Sequence, residues 1–82
     1  MVNIVPSPAF KKAVKHIDSK LRERLEKLIR KIISNPTLGK PLKYMRGERV
    51  VRIKPLRLIY AFNQKEQTLY LLKLEHRKNM YE

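Results

Sequence analysis

Apolar residues recur with a helical period in the first part of the chain and in short dense runs in the last part. Phe10, Ala13, Val14 and Ile17 stand at i, i+3, i+4 and i+7, which puts them on one face of a helix. Ser7-Pro8 marks the start: serine is a good N-cap, and proline is tolerated at the first helical position because its missing N–H would have had no partner. Asp18-Ser19 interrupts the pattern. A second, stronger helix is predicted from about Lys20 to Ser34, where Leu21, Leu25, Leu28, Ile29, Ile32 and Ile33 form a stripe and Arg22, Glu23, Glu26, Lys27 and Arg30 lie opposite. The two segments read as a helical hairpin. Ahead of it, Val2-Asn3-Ile4-Val5 is rich in β-branched residues and closed by Pro6, which predicts a short first strand.

Asn35-Pro36 stops the second helix, and Thr37 to Gly47 has turn residues and little periodicity, so it reads as a loop. Beyond it, Arg49 to Lys54, Leu56 to Asn63 and Thr68 to Leu74 are three runs of strand-forming residues, separated by Pro55 and by the polar stretch 64–67. They predict a three-stranded antiparallel meander. The order strand, helical hairpin, three strands implies a single α+β domain over residues 1–82, with the helices packed on one face of the sheet and the other face left for function. Tyr44, Tyr60 and Tyr70 are expected in or at the edge of the core.

Composition sharpens this picture. Twenty Lys and Arg against seven Asp and Glu give a formal charge of +13, so an anionic partner is implied: nucleic acid, an acidic protein or an anionic surface. No stretch is long and apolar enough for a membrane span, and the first residues lack the pattern of a signal peptide, which predicts a cytoplasmic protein without membrane contact. Cysteine is absent, excluding thiolate chemistry and disulfides, and two isolated histidines suggest neither a metal site nor a cofactor.

The charge is concentrated. Between Lys40 and Arg57 there are seven basic residues and one acid. Strand residues of like parity share a face, so Arg52 and Lys54 should project together about 6.6 Å apart. If Val51 and Ile53 turn toward the helices, Arg52, Lys54 and Arg57 converge on the uncovered face, with Lys43, Arg46 and Arg49 in support. Ordinary solvated charges on an open face are the competing reading. The segment from Leu74 to Glu82 adds His76, Arg77, Lys78 and Tyr81, a mixture able to hold a phosphate and stack on an unpaired base; a frayed terminus is the competing reading there.

Gly39-Lys40-Pro41-Leu42, Val51-Arg52-Ile53-Lys54, Arg57-Leu58-Ile59-Tyr60 and His76-Arg77-Lys78-Asn79-Met80-Tyr81, in this order and spacing, resemble the RelE/ParE toxin superfamily along nearly the whole chain. The resemblance implies a toxin of a type II toxin–antitoxin system. In its RNA-cleaving branch it implies a metal-independent endoribonuclease, an mRNA interferase that enters the decoding site of the ribosome and inhibits translation. There Arg52 and Lys54 match the basic strand pair, Arg57 the phosphate-holding arginine, and Arg77 and Tyr81 the C-terminal catalytic and base-stacking residues. Lys43, Arg46, Arg49, His76 and Lys78 would bind RNA. The reaction would be attack of a ribose 2′-OH on the adjacent phosphate. Crowding by Arg52 and Arg57 would disfavour a charged Lys54 and bring it nearer to a useful base, while His76 and Tyr81 stand as alternatives to Arg77 for proton donation, since arginine hardly ever releases its proton. A ParE-like inhibitor of DNA gyrase and a non-catalytic basic nucleic-acid-binding domain are the alternative readings. Either toxin reading implies a cognate acidic antitoxin.

Overall fold

The computed structural model describes residues 2–42 and 47–76. Five strands form one sheet: β1 (Asn3–Pro6), β2 (Lys40–Pro41), β3 (Glu48–Ile53), β4 (Leu56–Asn63) and β5 (Thr68–His76), in the spatial order β1-β5-β4-β3-β2. Helices α1 (Pro8–Val14) and α2 (Ser19–Ser34) follow β1 in sequence. The predicted meander is β3-β4-β5, antiparallel throughout. β1 runs parallel to β5, so the first and last strands meet at one edge. The two-residue strand β2 forms the opposite edge, pairing Lys40 with Val50 and Pro41 with Arg49. It falls inside the segment expected to be loop. Proline lacks a ladder donor, and an edge strand is where a sheet tolerates it.

The local signals act as their chemistry requires. Ser7 caps α1, its hydroxyl accepting from the Phe10 N–H at 3.1 Å, and Pro8 occupies the first turn. Asp18, which interrupts the periodicity, proves to be the N-cap of α2: its carboxylate accepts from the Leu21 N–H at 2.8 Å. The helix starts at Ser19 because the interruption is a cap. Arg22 then reaches back to the Val14 carbonyl at 3.2 Å, a second donor to an acceptor at the end of α1 that the Ile17 N–H meets at 3.4 Å.

The core forms on one side of the sheet. Phe10 of α1, Leu25 and Ile32 of α2, and Ile53, Leu58, Tyr60, Leu69, Leu71 and Leu74 of the strands make one buried cluster, with Leu21, Leu28, Ile29, Ile33 and Val51 packed against it. Each fully buried aliphatic side chain contributes about 1.5–3 kcal/mol relative to exposure, so the stripe of α2 is what holds the helical layer down.

Between Ile59 and Tyr60 the β4–β5 ladder shifts register: Ile59 faces Lys73 and Tyr60 faces Leu71, leaving Leu72 as the extra residue of a bulge. Its carbonyl accepts from the Ser7 hydroxyl at 2.6 Å, and the neighbouring Leu71 carbonyl accepts from the Ser7 N–H at 2.9 Å. Ser7 thus caps a helix and ties it to the bulge at once. Ser7→Ala should lower stability by about 1–2 kcal/mol, read as a reduced midpoint in urea unfolding with an unchanged slope; a midpoint within error of the parent would show the tie to be idle.

Candidate nucleic-acid interface

The site is built from strand parity. Val51 and Ile53 turn toward the helices, so the even positions of β3 point the other way. Residues directly opposite one another in a ladder share a face, with Cβ atoms about 4.5–5.5 Å apart. Arg52 therefore shares the open face with Arg57 of β4, and Arg57 shares it with Glu75 of β5. Two guanidiniums and one carboxylate form a single row across three strands. Like charges set directly opposite one another destabilise a sheet. The arrangement makes physical sense as a cradle for an anion placed between them, which guanidinium donors can hold bidentately.

The next row runs Lys40, Val50, Ile59, Lys73 across β2, β3, β4 and β5. Lys40 and Lys73 are exposed at its ends. Ile59 is only 6% exposed although it lies outside the core cluster, so the open face has an apolar floor between two ammonium groups. Further along, Glu48 and Ala61 share the face, and Ala61 pairs with Tyr70. The Tyr70 hydroxyl donates to Glu66 Oε1 at 2.8 Å, and this bond, together with burial and the nearby carboxylate charge, raises the phenol above its ordinary pKa.

The residues singled out from the sequence fall in several places. Arg52 and Arg57 come together as described. Lys54 stands one residue beyond the last ladder pair, in a two-residue turn with Pro55 whose peptide bond is cis; its carbonyl accepts from Arg24 Nη1 at 3.1 Å, which brings a cation of α2 to the tip of the same hairpin. Arg49 is turned away from the group. It has the parity of Val51 and Ile53, and its Nη1 donates to the Gly39 carbonyl at 2.7 Å and the Thr37 carbonyl at 3.4 Å, latching the chain after α2 onto β3. His76 pairs with Leu56, whose side chain packs against the core, so the register assigns it to the helical side. Lys43, Tyr44, Arg46, Arg77, Lys78 and Tyr81 lie outside the described residues.

Sequence reasoning missed Lys40, Lys73 and Glu75 on this face. Parity counted along β5 from Leu69 and Leu71 would send Lys73 and Glu75 inward, and only the bulge at Leu72 reverses it. Lys40 was hidden because β2 is too short to leave a pattern.

Among the described residues, no group of three or more His, Asp or Glu side chains is placed to hold a metal ion, and no helix is long and apolar enough to cross a membrane.

The model of the ParE toxin of the type II toxin–antitoxin system parDE matches residues 4–81. Among solved structures, the chain is similar to a metal-bound toxin from Helicobacter pylori, with 28% identity, 99% of this chain and 100% of that chain covered, and a TM-score of 0.79. It is also similar to a chain of the intact E. coli RelBE toxin–antitoxin complex, with 16% identity, 93% and 96% coverage and a TM-score of 0.82. A third similarity is to the archaeal RelE–RelB complex from Pyrococcus horikoshii, with 17% identity, 96% and 98% coverage and a TM-score of 0.78. The two lower identities speak to the fold alone. No curated protein gave a significant match.

Proposed function

The chain belongs to the family of ParE toxins of type II toxin–antitoxin systems, within the RelE/ParE superfamily, and from that premise we propose that it arrests growth by cutting messenger RNA in the decoding site of the ribosome. The observation that carries this reading is the Arg52–Arg57 pair, set directly opposite on a face that no described helix covers. Cleavage by the neighbouring 2′-OH passes through a phosphorane bearing extra negative charge. Preorganised donors aimed at such charge are typically the largest single contribution to catalysis. Lys40 and Lys73 would hold flanking phosphates, and the apolar floor of Val50 and Ile59 would accept sugar or base surface between them. In this reading Lys54, at the hairpin tip, adds a further cation, and Arg77 and Tyr81 follow β5 to supply the C-terminal catalytic and base-stacking groups of the RNA-cleaving branch. Lys43, Arg46 and Lys78 are assigned RNA-binding roles in the same reading.

A cognate antitoxin is part of the same proposal. The E. coli and Pyrococcus horikoshii neighbours are toxin–antitoxin complexes, and an acidic segment laid across a basic open face would neutralise the toxin by charge and by occlusion. The match to the ParE model favours gyrase inhibition as the second reading, because that branch shares the fold without cutting RNA. Induction in a bacterial host separates the two. New 5′ ends inside translated codons are expected within minutes, with plasmid supercoiling unchanged. Intact messages together with relaxed plasmid would replace the nuclease by the gyrase reading.

A further inference from the structure

The nuclease chemistry needs a proton acceptor, and the Arg52 and Arg57 guanidiniums cannot provide one, because arginine hardly ever releases its proton. Lys54, the residue that the sequence offers for this task, stands past the last ladder pair, in the turn after β3, and off the row of Arg52, Arg57 and Glu75. His76 is assigned by its register to the helical side. Glu48 shares the open face but stands four residues along β3 from Arg52, about 13 Å at the usual rise, and Glu66 is taken up by the Tyr70 hydroxyl. Glu75 is different. It is half-buried, lies directly opposite Arg57, and puts a carboxylate in the same row as both guanidiniums. A phosphate seated on Arg52 and Arg57 would carry its ribose 2′-oxygen within a side chain's length of it.

We infer that Glu75 is the general base of the reaction, an assignment that rests on the RNA-cleaving reading above. The carboxylate removes the proton of the 2′-OH as that oxygen bonds to phosphorus. The bond from phosphorus to the 5′-oxygen breaks, the departing oxygen takes a proton from water, and a 2′,3′-cyclic phosphate is left; Glu75 returns its proton to solvent. Arg57 keeps two neighbours apart in function: the phosphate it holds and the base beside it. The charged groups facing Glu75 are Arg57 from β4 and Lys73 from its own strand. On its other side β1 has already ended its pairing at Leu71, so that flank of β5 carries no described strand.

The test uses the purified full chain with ribosomes programmed with messenger, under single-turnover conditions at saturating toxin. Glu75→Gln should cut at least about 100-fold more slowly, in keeping with the usual contribution of general base catalysis, while binding the programmed ribosome as tightly as the parent. Glu75→Asp should restore part of the rate, and thermal melts of both variants confirm that the fold is retained. The parent's rate should rise with pH and the Gln variant's should not. Undiminished cutting by Glu75→Gln overturns the assignment while leaving the nuclease reading intact. So does a loss that follows weakened binding with the pH rise preserved, which would make Glu75 a positioning residue for Arg57. A parent chain that does not cut at all overturns the nuclease reading and the assignment with it.

Discussion

Arg52→Ala should slow cleavage of ribosome-bound messenger by about 10²–10³-fold, the usual consequence of removing one preorganised donor from a developing oxyanion, while leaving the melting temperature unchanged or higher. The two halves of that expectation come from one geometry. Arg52 is exposed and directly opposite Arg57, so in the free protein the pair costs stability rather than supplying it. With a phosphate between them the same proximity becomes useful. Arg57→Ala should give a loss of the same order. The double variant should be little worse than either single one, because both groups act on one phosphate and their effects do not add. Single-turnover cleavage and thermal melts on the same preparations check this. A large drop in melting temperature on Arg52→Ala would show the pair to be part of the scaffold, and unchanged cleavage would remove it from the site.

The second large effect concerns the scaffold under the site. Tyr60 is fully buried, and its hydroxyl accepts from the Gly39 N–H at 2.9 Å and donates to the Pro36 carbonyl at 2.8 Å. One phenol thereby fixes the chain that leaves α2 and delivers it to β2. Gly39 packs so closely that a Cβ there would lie 2.8 Å from Val51 Cγ2, 2.9 Å from the Val50 carbonyl oxygen and 3.0 Å from Tyr60 Cε1. The Val51 methyl could rotate; the backbone carbonyl could not. Gly39→Ala should therefore push β2 off the sheet and cost about 1–3 kcal/mol, as overpacking of a tight core does. Melting should fall by about 4–8 °C for each kcal/mol in a domain of this size. Tyr60→Phe should cost a similar amount, about 1–3 kcal/mol, by leaving a buried donor without its partner. Combining the two should cost less than their sum, since both loosen one contact. A Gly39→Ala protein that melts with the parent would mean that β2 is dispensable, and Lys40 with it.

Much of this architecture is written in the local pattern. The stripe of α2 declared its buried face because Leu25 and Ile32 recur at helical spacing, and both lie in the core. Strand β4 was bounded correctly because proline stands before it and a polar turn after it. The coincidence of Arg52 with Arg57 followed from parity plus one hairpin. Even the outlier was legible: Arg49 shares the parity of Val51 and Ile53, so sending those inward also sends Arg49 away from Arg52 and Arg57. What could not be read has two physical sources. Pairing of β1 with β5 joins residues more than sixty positions apart, and no local propensity encodes a choice of that range. The bulge at Leu72 is stabilised by Ser7, from the far end of the chain, so nothing within β5 announces it.

That one unpaired leucine bears on how the chain can change. Because Leu72 stands outside the ladder, with Leu71 facing Tyr60 and Lys73 facing Ile59 on either side of it, a chain lacking this one residue would close into regular alternation and still present Lys73 and Glu75 outward. What removing a single codon there would take away is the carbonyl that receives the Ser7 hydroxyl, so the damage would fall on the fastening of the first helix and spare the presented charges. Loss of residue 72 should accordingly be felt as a lower melting temperature and not as a rearranged open face.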